Sequence, residues 1–266
     1  MPSETLQVEI ADGVALLRLN RPDSLNALNR ELFGALGEAL LQVRDDEAIR
    51  VAVITGTGRA FCAGADMKER NATGAGAGGL GGGPPKDIFG TTPAVTPYTF
   101  DPGKPLIAAI NGFAFGGGME IALACDIRIA AESARRGLPE ITRGFFPGGG
   151  APIRLPRAIP RAVAMDMLLT GEPLDAAAAL RWGLVSRVVP DADLLDTAMA
   201  MAARIASFGP LAVRGARELA HRQEGLPFPE AMRLANSLRW IIGQTADALE
   251  GPAAFAEKRE PHYRGE

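Results

Sequence analysis

The chain has 266 residues and a net charge of −3, with 47% hydrophobic and 22% charged residues. That length suits one large domain or two smaller ones, and that composition excludes a disordered chain. The slightly acidic balance argues against a phosphate-backbone binder, which needs clustered positive charge, and no basic domain is hidden in the total.

In chain order, Met1-Pro2-Ser3-Glu4 offers neither the basic flank nor the apolar core of a signal peptide. Residues 6 to 19 alternate about the turn dipeptide Asp12-Gly13 and predict a hairpin. From Asn26 to Leu41 the apolar residues Leu28, Leu32, Leu36, Ala39 and Leu40 follow helical spacing. The short continuous runs Val51 to Ile54 and Leu106 to Ile110, with Ile127 to Ala130 as a third, predict strands covered on both faces. Strands alternating with helices imply an α/β architecture with crossover connections. The apolar stretch around residues 106 to 119 is broken by Asn111 and four glycines, so it is no membrane span. Past residue 150, helices are predicted over Ala162 to Leu169, Asp175 to Trp182, Ala192 to Phe208, Leu211 to Arg222, Glu230 to Ile242 and Ala246 to Lys258, with one strand at Val185 to Val189. The division expected is a core over residues 1–205 and a helical region over 206–266. Three helices bury little by themselves and need something further to pack against.

Residues 71 to 103 are glycine-rich and aperiodic, and predict a long mobile loop. Within it Gly74 to Gly79 matches G-x-G-x-x-G, but no strand precedes it and no helix follows, so a dinucleotide site is excluded on context. Cys62 and Cys125 form no disulfide framework and lack metal-ligand spacing, and with only His221 and His262 neither a zinc site nor a histidine triad is expected. Cys62, beside apolar Phe61, reads as a packing residue before a nucleophile. These features fit a soluble cytoplasmic chain.

Three segments carry chemistry. Gly112 to Gly118 runs from a strand into a helix, where freed amides and the helix dipole can hold an oxyanion and the glycines admit close approach. Glu120 follows Gly117 by three residues, so its carboxylate and that amide can share a face; it can equally be an ordinary first-turn acid. Phe61 to Asp66 follows a strand too and offers a second amide. Glu140, in Leu138-Pro139-Glu140, either joins Glu120 in one apolar pocket, where a carboxylate pair would divide acid and base roles, or forms an ion pair with Arg135, Arg136 or Arg143.

Together these motifs resemble the enoyl-CoA hydratase/isomerase (crotonase) family across nearly the whole chain. The resemblance lies in Arg21 to Leu28, Ala60 to Asp66, Ala108 to Gly112 with Gly116 to Glu120, Cys125-Asp126, Pro139-Glu140, Pro147 to Gly150, Leu169 to Gly171 and Phe255 to Pro261, in the family's order. It implies a spiral of ββα units with a C-terminal helical trimerisation region, assembled as a trimer or hexamer, and an acyl-CoA substrate with no separate cofactor. By that resemblance Ala65 and Gly117 supply the oxyanion amides and Glu120 and Glu140 the acid/base pair. Arg21, Leu25, Ala27, Ala63, Asp66, Met67 and Lys68 line the CoA path, and Gly148 stands near the water. Both glutamates together favour hydration over isomerisation or a specialised dehydration, and a non-catalytic binding role is the reading from another class. No nucleic acid, membrane or metal is expected. Two departures stand out: Arg136 replaces the family's usual apolar residue and needs a partner or solvent, and the glycine-rich segment is longer than usual.

Overall fold

Asp12 (φ 50°) and Gly13 (φ 79°) both occupy the left-handed region, the geometry of a two-residue hairpin turn. They join β1 (Leu6–Ala11) to β2 (Val14–Leu19) with Ala11 opposite Val14. The computed structural model describes residues 3–73 and 96–266. After the hairpin come α1 (Arg30–Asp45), β3 (Val51–Gly56), β4 (Ala60–Cys62) and α2 (Met67–Thr73). They are followed by β5 (Leu106–Ile110), β6 (Phe113–Phe115), α3 (Gly117–Ala124), β7 (Ile127–Ala131), β8 (Arg135–Gly137), α4 (Ala151–Ala158) and α5 (Arg161–Thr170). The rest is β9 (Leu174–Asp175), α6 (Ala176–Arg181), β10 (Arg187–Val189), α7 (Leu194–Ala206), α8 (Pro210–Arg222), α9 (Phe228–Ile242) and α10 (Ala246–Glu257).

Two sheets form. The larger runs β1-β2-β3-β5-β7-β10, parallel except for the hairpin, and the smaller runs β4-β6-β8-β9. Each successive pair β3/β4, β5/β6 and β7/β8 gives one strand to each sheet before the chain enters a helix. That repeat is the ββα spiral implied by the resemblance. Every residue of β5 is buried, as is β3 up to Thr55, because α7 covers one face with Ala198 and Ala202.

The structure differs from the sequence-based expectations in several places. The first helix starts at Arg30 instead of Asn26, since Leu25 (φ 52°) and Asn26 (φ 54°) are left-handed and Asn29 caps the helix through Leu32 N. Asn26 is fully buried: its Oδ1 accepts from Arg21 N at 2.8 Å, and its Nδ2 donates to the carbonyls of Thr57 at 2.9 Å and Ala60 at 2.7 Å. Asn26→Ala would strand three main-chain groups and is expected to destabilise the chain by about 3 kcal/mol or more, read by urea denaturation. Helix α3 does begin within the glycine run, at Gly117, because Gly116 (φ 53°) turns the chain directly off β6, and this puts Glu120 in its first turn. Of the segment 71 to 103, residues 71–73 close α2 and 96–103 form turns, while 74–95, including the G-x-G-x-x-G match, lie outside the described residues.

Arg136 is fully buried in β8. Its Nη1 donates to the Asp175 carbonyl at 2.9 Å, while Nε and Nη2 have no partner among the described residues, and burial lowers its pKa to about 10. In α8 and α9 no residue is buried. Phe228, Trp240, Leu249 and Phe255 are 77%, 70%, 74% and 88% exposed, so the apolar faces of α9 and α10 are open.

Candidate active site

The site is built where the second and third ββα units touch. Leu28 N donates to Gly64 O at 2.7 Å and Asp66 N to Leu28 O at 2.9 Å, which holds the β4–α2 turn in place. Gly64 (φ 91°) lies so near Gly116 and Gly117 that a Cβ on it would come 3.3 Å from Gly117 N and 2.8 Å from Phe115 O. On one side of this contact stands Ala65 N, on the other Gly117 N at the first position of α3. Among the described residues neither amide donates to a protein acceptor. Gly118 is pressed against the Cys62 carbonyl, which seats α3 on β4. Cys62 itself is buried, and burial pushes its thiol up to about 12, so it packs and does not attack.

Glu120 projects from the first turn of α3 and is 3% exposed. Its Oε1 accepts from Ala151 N at 3.1 Å, the amide at the start of α4, and the nearby Gly149 amide also favours the charged carboxylate. Burial outweighs these donors and, with Glu140 nearby, raises the Glu120 pKa to about 7. Glu140, 8% exposed in the helical turn Pro139–Arg143, sits against Gly116: a Cβ there would lie 2.8 Å from Glu140 Oε1. Its Oε2 is buried without a partner among the described residues, and burial raises its pKa. The ion pair that the sequence left open for Glu140 does not form. Arg143 donates to Pro139 O, Arg136 to Asp175 O, and Arg135 pairs with Asp175.

The remaining predicted residues fall into two groups. Arg21 Nη2 pairs with Asp66 at 2.9 Å, and its Nη1 donates to the Ala27 carbonyl. Ala63 N donates to Leu25 O at 3.0 Å, so these five knit one loop to the next. Asp66 also caps α2 through the amides of Lys68 and Glu69; burial opposes its ionisation, but those donors and Arg21 hold its carboxyl below the usual range. Met67 and Lys68 are exposed on the first turn of α2. The glycine against Glu120 is Gly149, whose Cβ would lie 2.7 Å from Glu120 Oε2, whereas Gly148 is exposed with nothing near.

Tyr98, Gly149, Ala151 and Arg154 escape the sequence reading. Tyr98 lies in the aperiodic segment, with its carbonyl accepting from Arg154 Nη2 at 2.7 Å; Arg154 Nη1 donates to Gly149 O. Only the run Pro147 to Gly150 gave a signal for this corner. Among the described residues no cluster of three or more metal-ligating side chains occurs, and no helix is long and apolar enough to cross a membrane.

Adjacent main-chain donors facing a carboxylate pair, carried on a ββα spiral, define a class of protein that can stabilise an oxyanion while moving protons beside it. The sequence profile of enoyl-CoA hydratase/isomerase matches residues 9–266. The chain is 42% identical to (E)-benzylidenesuccinyl-CoA hydratase of Thauera aromatica, over 97% of this chain and 98% of that protein. It is 40% identical to carnitinyl-CoA dehydratase of Proteus mirabilis, over 99% of each. The crystal structure of enoyl-CoA hydratase from Mycobacterium tuberculosis superposes with a TM-score of 0.89 at 35% identity, covering 99% of this chain and 100% of that one. The chain belongs to the enoyl-CoA hydratase/isomerase family, with the crotonase fold.

Proposed function

We propose that the chain adds water across the 2,3 double bond of a 2-enoyl-CoA thioester to give a 3-hydroxyacyl-CoA. The observation that carries this reading is the pair Glu120 and Glu140, both buried and neither ion-paired among the described residues, beside two amides with no acceptor of their own. In it, Ala65 N–H and Gly117 N–H hold the thioester oxygen, each donor of this kind contributing ~2.7–4 kcal/mol to the transition state. Glu120 takes a proton from water as the water oxygen bonds to Cβ. The double-bond electrons move onto the thioester oxygen, and the enolate collapses by taking the Glu140 proton at Cα. The substrate gains OH at Cβ and H at Cα; Glu120 ends protonated and Glu140 ionised, and proton exchange with solvent resets the pair. The two titrate as a unit.

The elevated Glu120 pKa supports its part, since a base works best with a pKa near the operating pH. The reverse reaction, loss of water, uses the same groups, and the Proteus relative is named for a dehydration. Arg21, Leu25, Ala27, Ala63, Asp66, Met67 and Lys68 border the CoA path in this proposal, with exposed Lys68 the cation suited to its phosphates. The open apolar faces of α9 and α10 support burial between copies in a trimer or hexamer. The same reading places the chain in the cytoplasm, in acyl-CoA metabolism, with coenzyme A arriving as part of the substrate.

Loss of enoyl-thioester absorbance with crotonyl-CoA tests it. Because Glu120 acts ionised and Glu140 acts protonated, kcat/KM is expected to be bell-shaped, falling on the acid side as Glu120 gains its proton with a pKa of about 7 and on the alkaline side as Glu140 loses its own. No turnover on any enoyl-CoA, or a profile flat through neutrality, overturns the assignment.

A further inference from the structure

The Tyr98 side chain occupies the space that two glycines leave open. A Cβ on Gly149 would lie 2.7 Å from Tyr98 Cγ and 2.8 Å from its Cδ2, and a Cβ on Gly117 would collide with the phenol oxygen. The same Cβ on Gly149 would meet Glu120 Oε2 at 2.7 Å. The ring therefore spans the cleft from the Gly117 end of the oxyanion site to the Glu120 carboxylate. Phe33 lies against it with ring centroids 5.1 Å apart, and Arg154 Nη2 donates to its main-chain carbonyl. A thioester oxygen at Gly117 N, with its reacting carbons between Glu120 and Glu140, brings whatever follows Cβ up to this ring.

We propose that Tyr98 is a specificity-determining residue that closes the acyl pocket beyond the reacting carbons, so that short 2-enoyl groups are accepted and long ones are turned away. This rests on the enoyl-CoA reading above. An alkyl chain extended by several methylenes finds its volume already taken, and in close-packed surroundings overlap is as damaging as a void.

The test compares kcat/KM for crotonyl-CoA, 2-octenoyl-CoA and 2-dodecenoyl-CoA in the wild type, Tyr98→Ala, Tyr98→Leu and Tyr98→Phe. The wild type is expected to favour crotonyl-CoA, and Tyr98→Ala to shift the octenoyl-to-crotonyl ratio upward by about 10-fold or more. Tyr98→Leu falls between, and Tyr98→Phe, which keeps the ring, leaves the ratio in place. An unchanged ratio in Tyr98→Ala and Tyr98→Leu, or a shift in Tyr98→Phe as large as theirs, overturns the proposal. Calorimetric binding of the unreactive butyryl-CoA and octanoyl-CoA separates this from the hydration reading. If no form turns over any enoyl-CoA, hydration fails; selective tightening of octanoyl-CoA in Tyr98→Ala would still uphold the wall, and equal changes for both thioesters would refute it.

Discussion

Glu120→Gln is expected to lower crotonyl-CoA hydration by ~10²–10⁴-fold, the usual worth of a positioned general base, while making the folded chain more stable at neutral and alkaline pH. Gln keeps a carbonyl oxygen for Ala151 N, so the fold around α4 retains its contact. What it loses is the ability to take the water's proton. The stability gain follows from the folded carboxyl titrating at about 7 against a reference of 4.5. The unfolded chain ionises this group from pH 4.5 upward while the folded chain holds its proton to about 7. Folding is therefore penalised progressively between those pH values, reaching about 3 kcal/mol above the folded pKa. Gln removes that penalty. Urea denaturation at acid and alkaline pH checks the sign: the variant should match the wild type below pH 4.5 and exceed it above about 7. Equal stability throughout would mean that Glu120 is not held protonated by burial. Loss of hydration with retained double-bond migration would favour an isomerase.

Gly118→Ala is expected to disable the chain by displacement. The added Cβ would collide with the Cys62 carbonyl oxygen and lie 2.7 Å from Cys62 Cβ and 2.9 Å from its carbonyl carbon. These are buried atoms of β4 that cannot move aside without disturbing the small sheet. Overpacking of this kind costs about 1–3 kcal/mol, occasionally more. Lifting α3 from β4 also carries Gly117 N away from Ala65 N, and a shift of ~1 Å at a reacting centre can cost ~10²-fold in rate. Thermal melting and crotonyl-CoA turnover should fall together. Gly34→Ala in α1 is the control: nothing lies within 4 Å of the added methyl, and no loss is expected. If the two variants behave alike, the seating of α3 on β4 is not what positions the amide.

The large sheet and the helical C-terminal third were legible because β3 and β5 are uninterrupted apolar runs and the late helices keep their period. The small sheet was not: its strands are two or three residues long, and β8 is Arg-Arg-Gly, which no periodicity distinguishes from a turn. Helix α4 was hidden by Pro152 at its start and Pro156 inside it. At the site, Glu120 and Glu140 were visible as candidates, but whether Glu140 would be spent on an arginine depended on where three guanidinium groups turn, and main-chain carbonyls take two of them. Tyr98 carried no signal, since its position follows from the two Cβ atoms missing at Gly117 and Gly149.

The groups that hold the thioester oxygen in this reading are main-chain nitrogens, and every amino acid but proline supplies one. Point changes at Ala65 and Gly117, proline apart, therefore leave the N–H in the chain, whereas a point change can erase an acid or a base outright. Descent with modification can redraw the carboxylates and the acyl wall while the means of activating the thioester passes on intact, so new reactions on this scaffold begin with that step already in place.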